Sequence, residues 1–224
     1  MLKKLFSKTN DSDYGVVVTK TFDVENFSAI KINGPYVVAY KKGQKASVTA
    51  EMQEKHLECT EISASSNILH VEYTKTFSST GFSNFPKLYI TAPNIEEAHF
   101  EGAVKTTDWD TVNSNDFSLH AEGAVNINMH LVVVNLKIKA EGAAKFELSG
   151  NASDADITLE GAVTMDAKNL LTKRSKLYLA GAGNAKIGCS EHLDARLEGV
   201  GFIKYYGSPV VDKVVEGIGR ISKG

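Results

Sequence analysis

One short motif with a central glycine occurs seven times in the second half of the chain. The first copy reads Glu101-Gly102-Ala103-Val104 and the seventh reads Glu216-Gly217-Ile218-Gly219. Successive central glycines are 18 to 21 residues apart, a period typical of repeat proteins in which each unit buries its apolar side against the next. The seven predicted turn glycines are Gly102, Gly123, Gly142, Gly161, Gly181, Gly199 and Gly217.

Apolar and polar residues alternate on both sides of each glycine. Positions two, four and six residues away from Gly123 hold Phe117, Leu119, Ala121, Val125, Ile127 and Met129. Alternation with a period of two predicts strands with one buried and one exposed face. A glycine between two such strands is typical of a tight turn that needs a positive φ. Each unit is therefore predicted to be strand, turn, strand.

Units of this kind, stacked in register, predict an all-β fold: a single-stranded β-helix, or solenoid, of two main sheets with tight glycine turns. The other repeat classes require features that the chain lacks. Leucine-rich repeats need a ladder of Leu and Asn, and ankyrin or tetratricopeptide units need about 33 residues with a helical period. A left-handed β-helix of the acyltransferase type would show a six-residue apolar period.

The region before the repeats is β-rich but irregular. Alternating pairs such as Ile30 and Ile32 predict strands. Residues 52–59 interrupt the alternation and are compatible with a helical turn, and residues 77–85, rich in Ser, Gly and Phe, predict a mobile loop.

No linker separates this region from the repeats. We therefore predict a flexible segment at 1–13 and one domain at 14–224, with irregular leading or capping strands at 14–97 and the seven repeats at 98–224. With 42% hydrophobic residues in 224, a chain of this length can fold as one domain without metals or disulfides. The net charge of −2 with scattered basic residues gives no reason to expect a nucleic-acid partner.

Targeting signals are incomplete. Met1 to Phe6 resembles the start of an export signal, but Ser7 to Gly15 supplies no apolar core or cleavage site. The chain is thus either the mature part of an exported precursor or a protein that stays inside the cell. No stretch approaches the roughly 20 apolar residues of a membrane span. Cys59 and Cys189 are predicted to be free core thiols rather than a disulfide.

Several segments resemble one known family. Phe22 to Tyr40, with 29–34 inside it and 37–43 at its end, is similar to the leading segment of the bacterial putative auto-transporter adhesin, head GIN domain family, and Leu88 to Ile95 is similar to that family's bridge into its repeats. The resemblance covers about residues 16–224. It implies a two-sheet β superhelix with glycine turns, common in Bacteroidetes, usually exported, with a suggested adhesive role and no known catalysis.

The chain departs from the family pattern beside the glycines. The family usually has Ser or Ala before the glycine and a second Gly two residues after it. Here Glu precedes the glycine in six of the seven units, and the second Gly occurs only at Gly183, Gly201 and Gly219. The expected fold is unaffected, but a ligand cannot be carried over by analogy.

The glutamates before the glycines are expected to form a column on the outer surface, and Glu122, Glu141 and Glu160 are candidate ligand-binding residues. Like charges about 5 Å apart need compensation. In one interpretation neighbouring cations provide it and the column only solvates the surface. In the other, the carboxylates collect hard cations such as Ca²⁺. Ala180 interrupts the column in either case. The expected compensating cations are Lys105, Lys139, Lys145 and Arg196.

The variable edge opposite the glycines is a second place where recognition is expected, and it comprises 108–116, 151–156, 169–176 and 208–209. The candidate ligand-binding residues on it are Trp109 and the flanking Asp108 and Asp110. The indole resembles a sugar-stacking platform, although an aromatic that plugs the core is the alternative. The two carboxylates could act as acid and base of a glycosidase, but no second cluster converges on them. We therefore predict no catalytic residue and no cofactor.

The histidines are dispersed, and only His99 and His120 share a column, three residues before their glycines. They predict at most an adventitious metal contact, so no metal site is expected. The sequence as a whole favours a non-enzymatic cell-envelope or surface interaction module, with a cell-surface or glycan ligand. The alternatives are a carbohydrate-active enzyme of the pectate-lyase type and a structural spacer. The uncovered final unit also predicts a homo-oligomer, dimer or trimer, with this unit at the contact.

Overall fold

A computed structural model describes residues 14–75 and 85–224 of the chain. Within them the fold is all-β, with an open sheet of nine strands and one short helix. The elements are β1 Val17–Asp23, β2 Ala29–Lys42, β3 Ser47–Gln53, α1 Glu54–Glu58, β4 Thr60–Ser65, β5 Ile68–Tyr73, β6 Lys87–Ala92, β7 Glu97–Trp109, β8 Val112–Tyr206 and β9 Val210–Lys223. Helix α1 matches the predicted helical turn. The predicted segment 1–13 and nearly all of the predicted loop at 77–85 lie outside the described residues.

The sheet follows the order β1-β3-β6-β2-β7-β8-β9. Its first pairs, β1 with β3 and β3 with β6, are antiparallel, and the pairs from β6–β2 to β8–β9 are parallel. Strands β4 and β5 form an antiparallel hairpin that joins the sheet through β2. Ser66 and Asn67 connect them with φ values of 52° and 65°, the conformation of a two-residue type I′ turn.

Strand β8 is 95 residues long and contains several of the glycine-centred units. Successive units within it lie side by side in register. A Cβ built on Gly123 would lie 2.6 Å from the carbonyl oxygen of Gly102, and one on Gly142 would lie 2.7 Å from that of Gly123. Corresponding glycines of successive units are thus neighbours. All seven central glycines have a positive φ, between 93° and 132°, a backbone conformation that L side chains rarely adopt. The glycine is needed both for this φ and for the close approach of the next unit.

The core is continuous from Phe27 to Ile221 and consists of the alternate residues that the sequence pattern predicts to be buried. Leu119, Ile127 and Phe146 are at most 1% exposed. Burying a side chain of this size contributes about 1.5–3 kcal/mol, so the inward columns dominate the stability of the fold. Cys59 and Cys189 are buried free thiols, which confirms that prediction.

Strand β9 ends the sheet order and is largely exposed. Its side chains include Val210 and Ile218, which are 68% and 76% exposed, whereas Ile221 is buried. An apolar strand at a sheet edge is a potential pairing surface. Assembly through this unit as a dimer or trimer stays a prediction.

His56 of α1 gives the fold a pH dependence. Its side chain is 1% exposed, its Nδ1 lies 2.9 Å from the Tyr73 hydroxyl, and its ring stacks on Tyr14 at 4.7 Å. Burial lowers the pKa of His56 below its ordinary value of 6.5. As the pH is lowered below 6.5, His56 of the unfolded chain therefore takes up a proton that the folded chain does not. The free energy of unfolding decreases with each further step in pH until the pH falls below the folded-state pKa.

We expect His56→Gln to be less stable than wild type at pH 7 and to lose less stability between pH 7 and pH 5. Urea denaturation at both pH values measures this difference. His130→Gln, at an exposed position, is the matched control and should keep the wild-type pH dependence. An unchanged fall in stability for His56→Gln would contradict the assignment.

Candidate functional site

A groove with a volume of about 900 Å³ crosses the units on the strands that precede the glycines. Four successive units contribute three consecutive residues each: 116–118, 135–137, 154–156 and 174–176. The middle residue of each triplet is buried and the two flanking residues point outward, as the period of two requires. The groove therefore lies between two polar walls, and its floor is the backbone of the middle residues, whose side chains point inward. These middle residues are Phe117, Leu136, Ala155 and Ser175.

The wall seven residues before each glycine is held by hydrogen bonds between successive units. Asn135 donates from Nδ2 to Asp116 Oδ1 at 2.8 Å. Arg174 donates from Nε and from a terminal nitrogen to the two carboxylate oxygens of Asp154, at 2.6 and 2.7 Å. Paired bonds of this kind fix both position and orientation, so this wall presents a fixed set of polar groups.

The opposite wall, five residues before each glycine, carries charges of both signs. Lys137, Asp156 and Lys176 alternate along it. Within 14–75 and 85–224 these three side chains form no hydrogen bond or ion pair. They are exposed, so their charges are available to a ligand in the groove.

Trp109, one of the predicted ligand-binding residues, packs against the core. Its ring lies 5.4 Å from that of Tyr40 and meets Phe100 edge-on at 6.0 Å. Its Nε1 is buried and has no hydrogen-bond partner among the described residues. The indole therefore packs as an aromatic against the core, which was the alternative to a sugar-stacking platform. A role in sugar stacking stays a prediction.

The two aspartates beside Trp109 have different environments. Asp108 has a φ of 43° and occupies a β-bulge, since the register with β2 passes from Thr107 to Trp109. Asp110 accepts hydrogen bonds from the Lys42 backbone N–H at 2.9 Å and from Lys41 Nζ at 3.0 Å. These bonds hold the pKa of Asp110 below its usual range. Its carboxylate thus ties the end of β7 to β2, and ligand binding by the pair stays a prediction.

The glutamate column exists as predicted for the first units, because Glu101 and Glu122 are register partners and Glu141 follows beside them. Lys139 Nζ lies 2.6 Å from Glu141 Oε1, and this contact lowers the pKa of Glu141. Two other expected compensators pair elsewhere: Lys145 with Glu147 at 2.7 Å, and Arg196 with Asp194 at 3.5 Å.

None of the six predicted ligand-binding residues lines the 900 Å³ groove: Asp108, Trp109, Asp110, Glu122, Glu141 and Glu160 lie elsewhere on the fold. Part of the groove, namely Asp116, 154–156 and 174–176, lies on the variable edge that the sequence predicts as a place of recognition. The remaining groove residues were not predicted. The sequence signal for them is a pair of columns. In the units from Gly142 to Gly199, residues five before each glycine carry charges of alternating sign, and residues seven before each glycine are all polar.

His99, His120 and Glu122 meet on the outer face of β7 and β8. The two histidines are register partners, with ring centroids 4.5 Å apart. Glu122 Oε1 lies 3.0 Å from His120 Nε2 and 4.0 Å from His99 Nε2. Burial, followed by the charge of His120, lowers the pKa of His99, which favours its neutral form.

Comparison with known proteins identifies the family. The model of a family described as putative auto-transporter adhesin, head GIN domain, matches residues 26–209. The chain belongs to this family. The match spans all strands from β2 to β8 and most of the seven units. The resemblance stated from the sequence is therefore confirmed. No curated protein sequence matches the chain significantly.

Solved structures with the same fold include proteins from Bacteroides and Parabacteroides species. A putative adhesin from Bacteroides fragilis has a TM-score of 0.88 at 22% identity, over 93% of this chain and 97% of that one. A putative lipid binding protein from Parabacteroides distasonis has a TM-score of 0.70 at 16% identity, over 94% and 97%. A putative adhesin from Parabacteroides merdae has a TM-score of 0.65 at 20% identity, over 94% and 97%. At these identities the similarity establishes the shared fold of this adhesin-head domain.

Across 14–75 and 85–224, the adhesin-head domain contains no helix long and apolar enough to cross a bilayer.

Proposed function

We propose that this chain is a non-enzymatic interaction module of the bacterial cell envelope or surface, and that it binds an extended glycan in the 900 Å³ groove. Its membership of an adhesin-head family supports a role in surface interaction. Two of the structurally similar proteins carry the name of putative adhesin. The observation that carries the proposal is the groove itself, which crosses successive units and has fixed polar groups on one wall and free charges on the other.

The proposed architecture beneath this groove is a single-stranded β-helix of two main sheets, within one domain at 14–224. Its support is the in-register approach of glycines from successive units and their shared positive φ. Strands in such a stack are about 4.8 Å apart. The groove touches β2, β7 and the units up to Asp194, so it would extend for roughly 25–30 Å along the stack.

A glycan suits this groove because its ring faces are partly apolar and its hydroxyls donate and accept hydrogen bonds. Ile68 and the aliphatic stems of Lys137 and Lys176 offer apolar contact to the ring faces. The amide of Asn135 and the carboxylate of Asp156 can bond to hydroxyls. The exposed Lys137 and Lys176 add hydrogen-bond donors. Because six carboxylates line the groove against three cationic side chains, a neutral glycan is favoured over an acidic one. A groove on a rigid scaffold needs little rearrangement, which lowers the cost of binding.

Asp108 and Asp110 do not support catalysis, because they do not form a convergent acid–base pair. Asp110 is engaged by β2, and the bulge at Asp108 breaks the two-residue alternation that would put both carboxylates on one face. A carbohydrate-active enzyme of the pectate-lyase type and a structural spacer remain the alternatives, and the following experiment separates them from the proposal.

Affinity electrophoresis against soluble polysaccharides, both neutral and uronic-acid-rich, tests this function. We expect retardation in at least one neutral polysaccharide, and binding at least tenfold weaker for the double variant Lys137→Ala/Lys176→Ala. The matched control is Lys105→Ala, another exposed lysine without a partner among the described residues, which lies outside the groove. It should bind as wild type does.

Three results would contradict the proposal. Equal binding by wild type and the double variant would place the ligand elsewhere. New reducing ends in the polysaccharide would indicate an enzyme. Binding to phospholipid vesicles without binding to any polysaccharide would favour a lipid ligand, the kind of ligand that the Parabacteroides distasonis protein is named for.

A further inference from the structure

We infer that His99, His120 and Glu122 bind one divalent transition-metal ion of the zinc class. Strand pairing brings the two imidazoles together, because His99 of β7 is the register partner of His120 of β8. Glu122 lies two residues after His120 and therefore on the same face. One ligand atom from each side chain lies within 4.8 Å of the others. This site is separate from the groove and does not depend on the proposed glycan function.

The strongest indication is an unsatisfied atom. His120 Nε2 is buried and has no hydrogen-bond partner among the described residues. Glu122 Oε1 is only 3.0 Å away, but the two atoms are not aligned as a hydrogen bond. A buried polar atom without a partner is unfavourable. A cation bound between the imidazole and the carboxylate would satisfy both atoms.

The distances fit the coordination of zinc. Ligand atoms about 2.0–2.1 Å from a tetrahedral Zn²⁺ lie roughly 3.4 Å from one another. The observed separations of Glu122 Oε1 from the two Nε2 atoms, 3.0 and 4.0 Å, lie on either side of that value. Small side-chain rotations would equalise them. The three side chains are 27–39% exposed, so the fourth coordination position would be open to water.

The ligand types select the class of metal. Imidazole nitrogens suit Zn²⁺, Cu²⁺ and Ni²⁺, whereas Ca²⁺ takes six to eight oxygen ligands. Two lysines border the cluster: Lys31, the register partner of His99, and Lys139, whose charge acts on Glu122. Lys139 is paired with Glu141 at 2.6 Å, and Glu101 lies beside Glu122. These carboxylates offset the two positive charges near the proposed ion.

The test uses the tag-free full chain, treated with EDTA and then freed of it. Calorimetric titration with ZnCl₂ should give one ion per chain, and added Zn²⁺ should raise the melting temperature. We expect Glu122→Gln and His120→Gln each to weaken zinc binding at least tenfold. The matched controls are Glu160→Gln, from the same glutamate column, and His130→Gln, an exposed histidine further along β8. Both should bind zinc as wild type does.

The folded state of each variant is checked by circular dichroism, and Glu122→Gln keeps the test valid if His120→Gln fails to fold, because Glu122 is 39% exposed. Unchanged zinc affinity in the Glu122→Gln variant would overturn the inference. So would a rise in melting temperature with CaCl₂ equal to that with ZnCl₂, because it would assign the binding to the carboxylate column instead.

Discussion

The Gly142→Val variant is expected to lose more than about 2 kcal/mol of unfolding free energy. Gly142 has a φ of +102°, and a Cβ at this position would lie 2.7 Å from the Gly123 carbonyl oxygen and 3.1 Å from its nitrogen. A β-branched residue adopts this φ only with strain, and the neighbouring backbone cannot move aside without breaking its own pairing. Equilibrium denaturation in urea or guanidinium measures the loss.

Ala143→Val is the matched control, because it adds the same branched side chain one residue later at an exposed position. It should change the unfolding free energy by less than about 0.5 kcal/mol. A loss below about 0.5 kcal/mol for Gly142→Val as well would show that the turn does not need glycine.

Truncation of Phe146 to alanine is expected to cost about 3–5 kcal/mol. Phe146 is completely buried, four residues after Gly142, and belongs to the continuous core. Its removal leaves a cavity that adjacent units in rigid register can fill only in part. The same denaturation experiment measures the loss.

Phe146→Leu is the control that tests whether the loss depends on the volume removed from the core. It keeps most of the apolar surface, so its loss should be clearly smaller than that of Phe146→Ala. Equal losses for the two variants, or a loss under about 1 kcal/mol for Phe146→Ala, would indicate that the inward column is not tightly packed.

The repeat region could be predicted from sequence because its determinants are local. Alternation around Gly123 identifies the buried side of each strand, and the glycine itself identifies the turn. The order of the first six strands could not be predicted in this way. Strand β2 pairs in parallel with β5, β6 and β7, which follow it at different distances along the chain. Such pairings depend on contacts between distant residues, which a local pattern does not encode.

The candidate sites show the same limit. The pairing of His99 with His120 could be predicted from the repeat spacing. The distance of Glu122 from the two imidazoles could not, because it depends on side-chain conformation as well as on the shared face of the strand. A single bulge at Asp108 changed the environment of Trp109 and its neighbours. The groove was predicted only in part, as segments of the variable edge, because its residues are individually ordinary and only their alignment across units makes them a surface.

The in-register glycines have a mechanical consequence. Each central glycine from Gly123 onward approaches the glycine of the preceding unit, so neighbouring units bear directly on one another. In a fold whose units contact only their neighbours, force applied at the chain ends is carried by one interface at a time. A protein built in this way would yield under tension by releasing its terminal units in succession, beginning at the exposed β9, while the remaining units keep the groove intact.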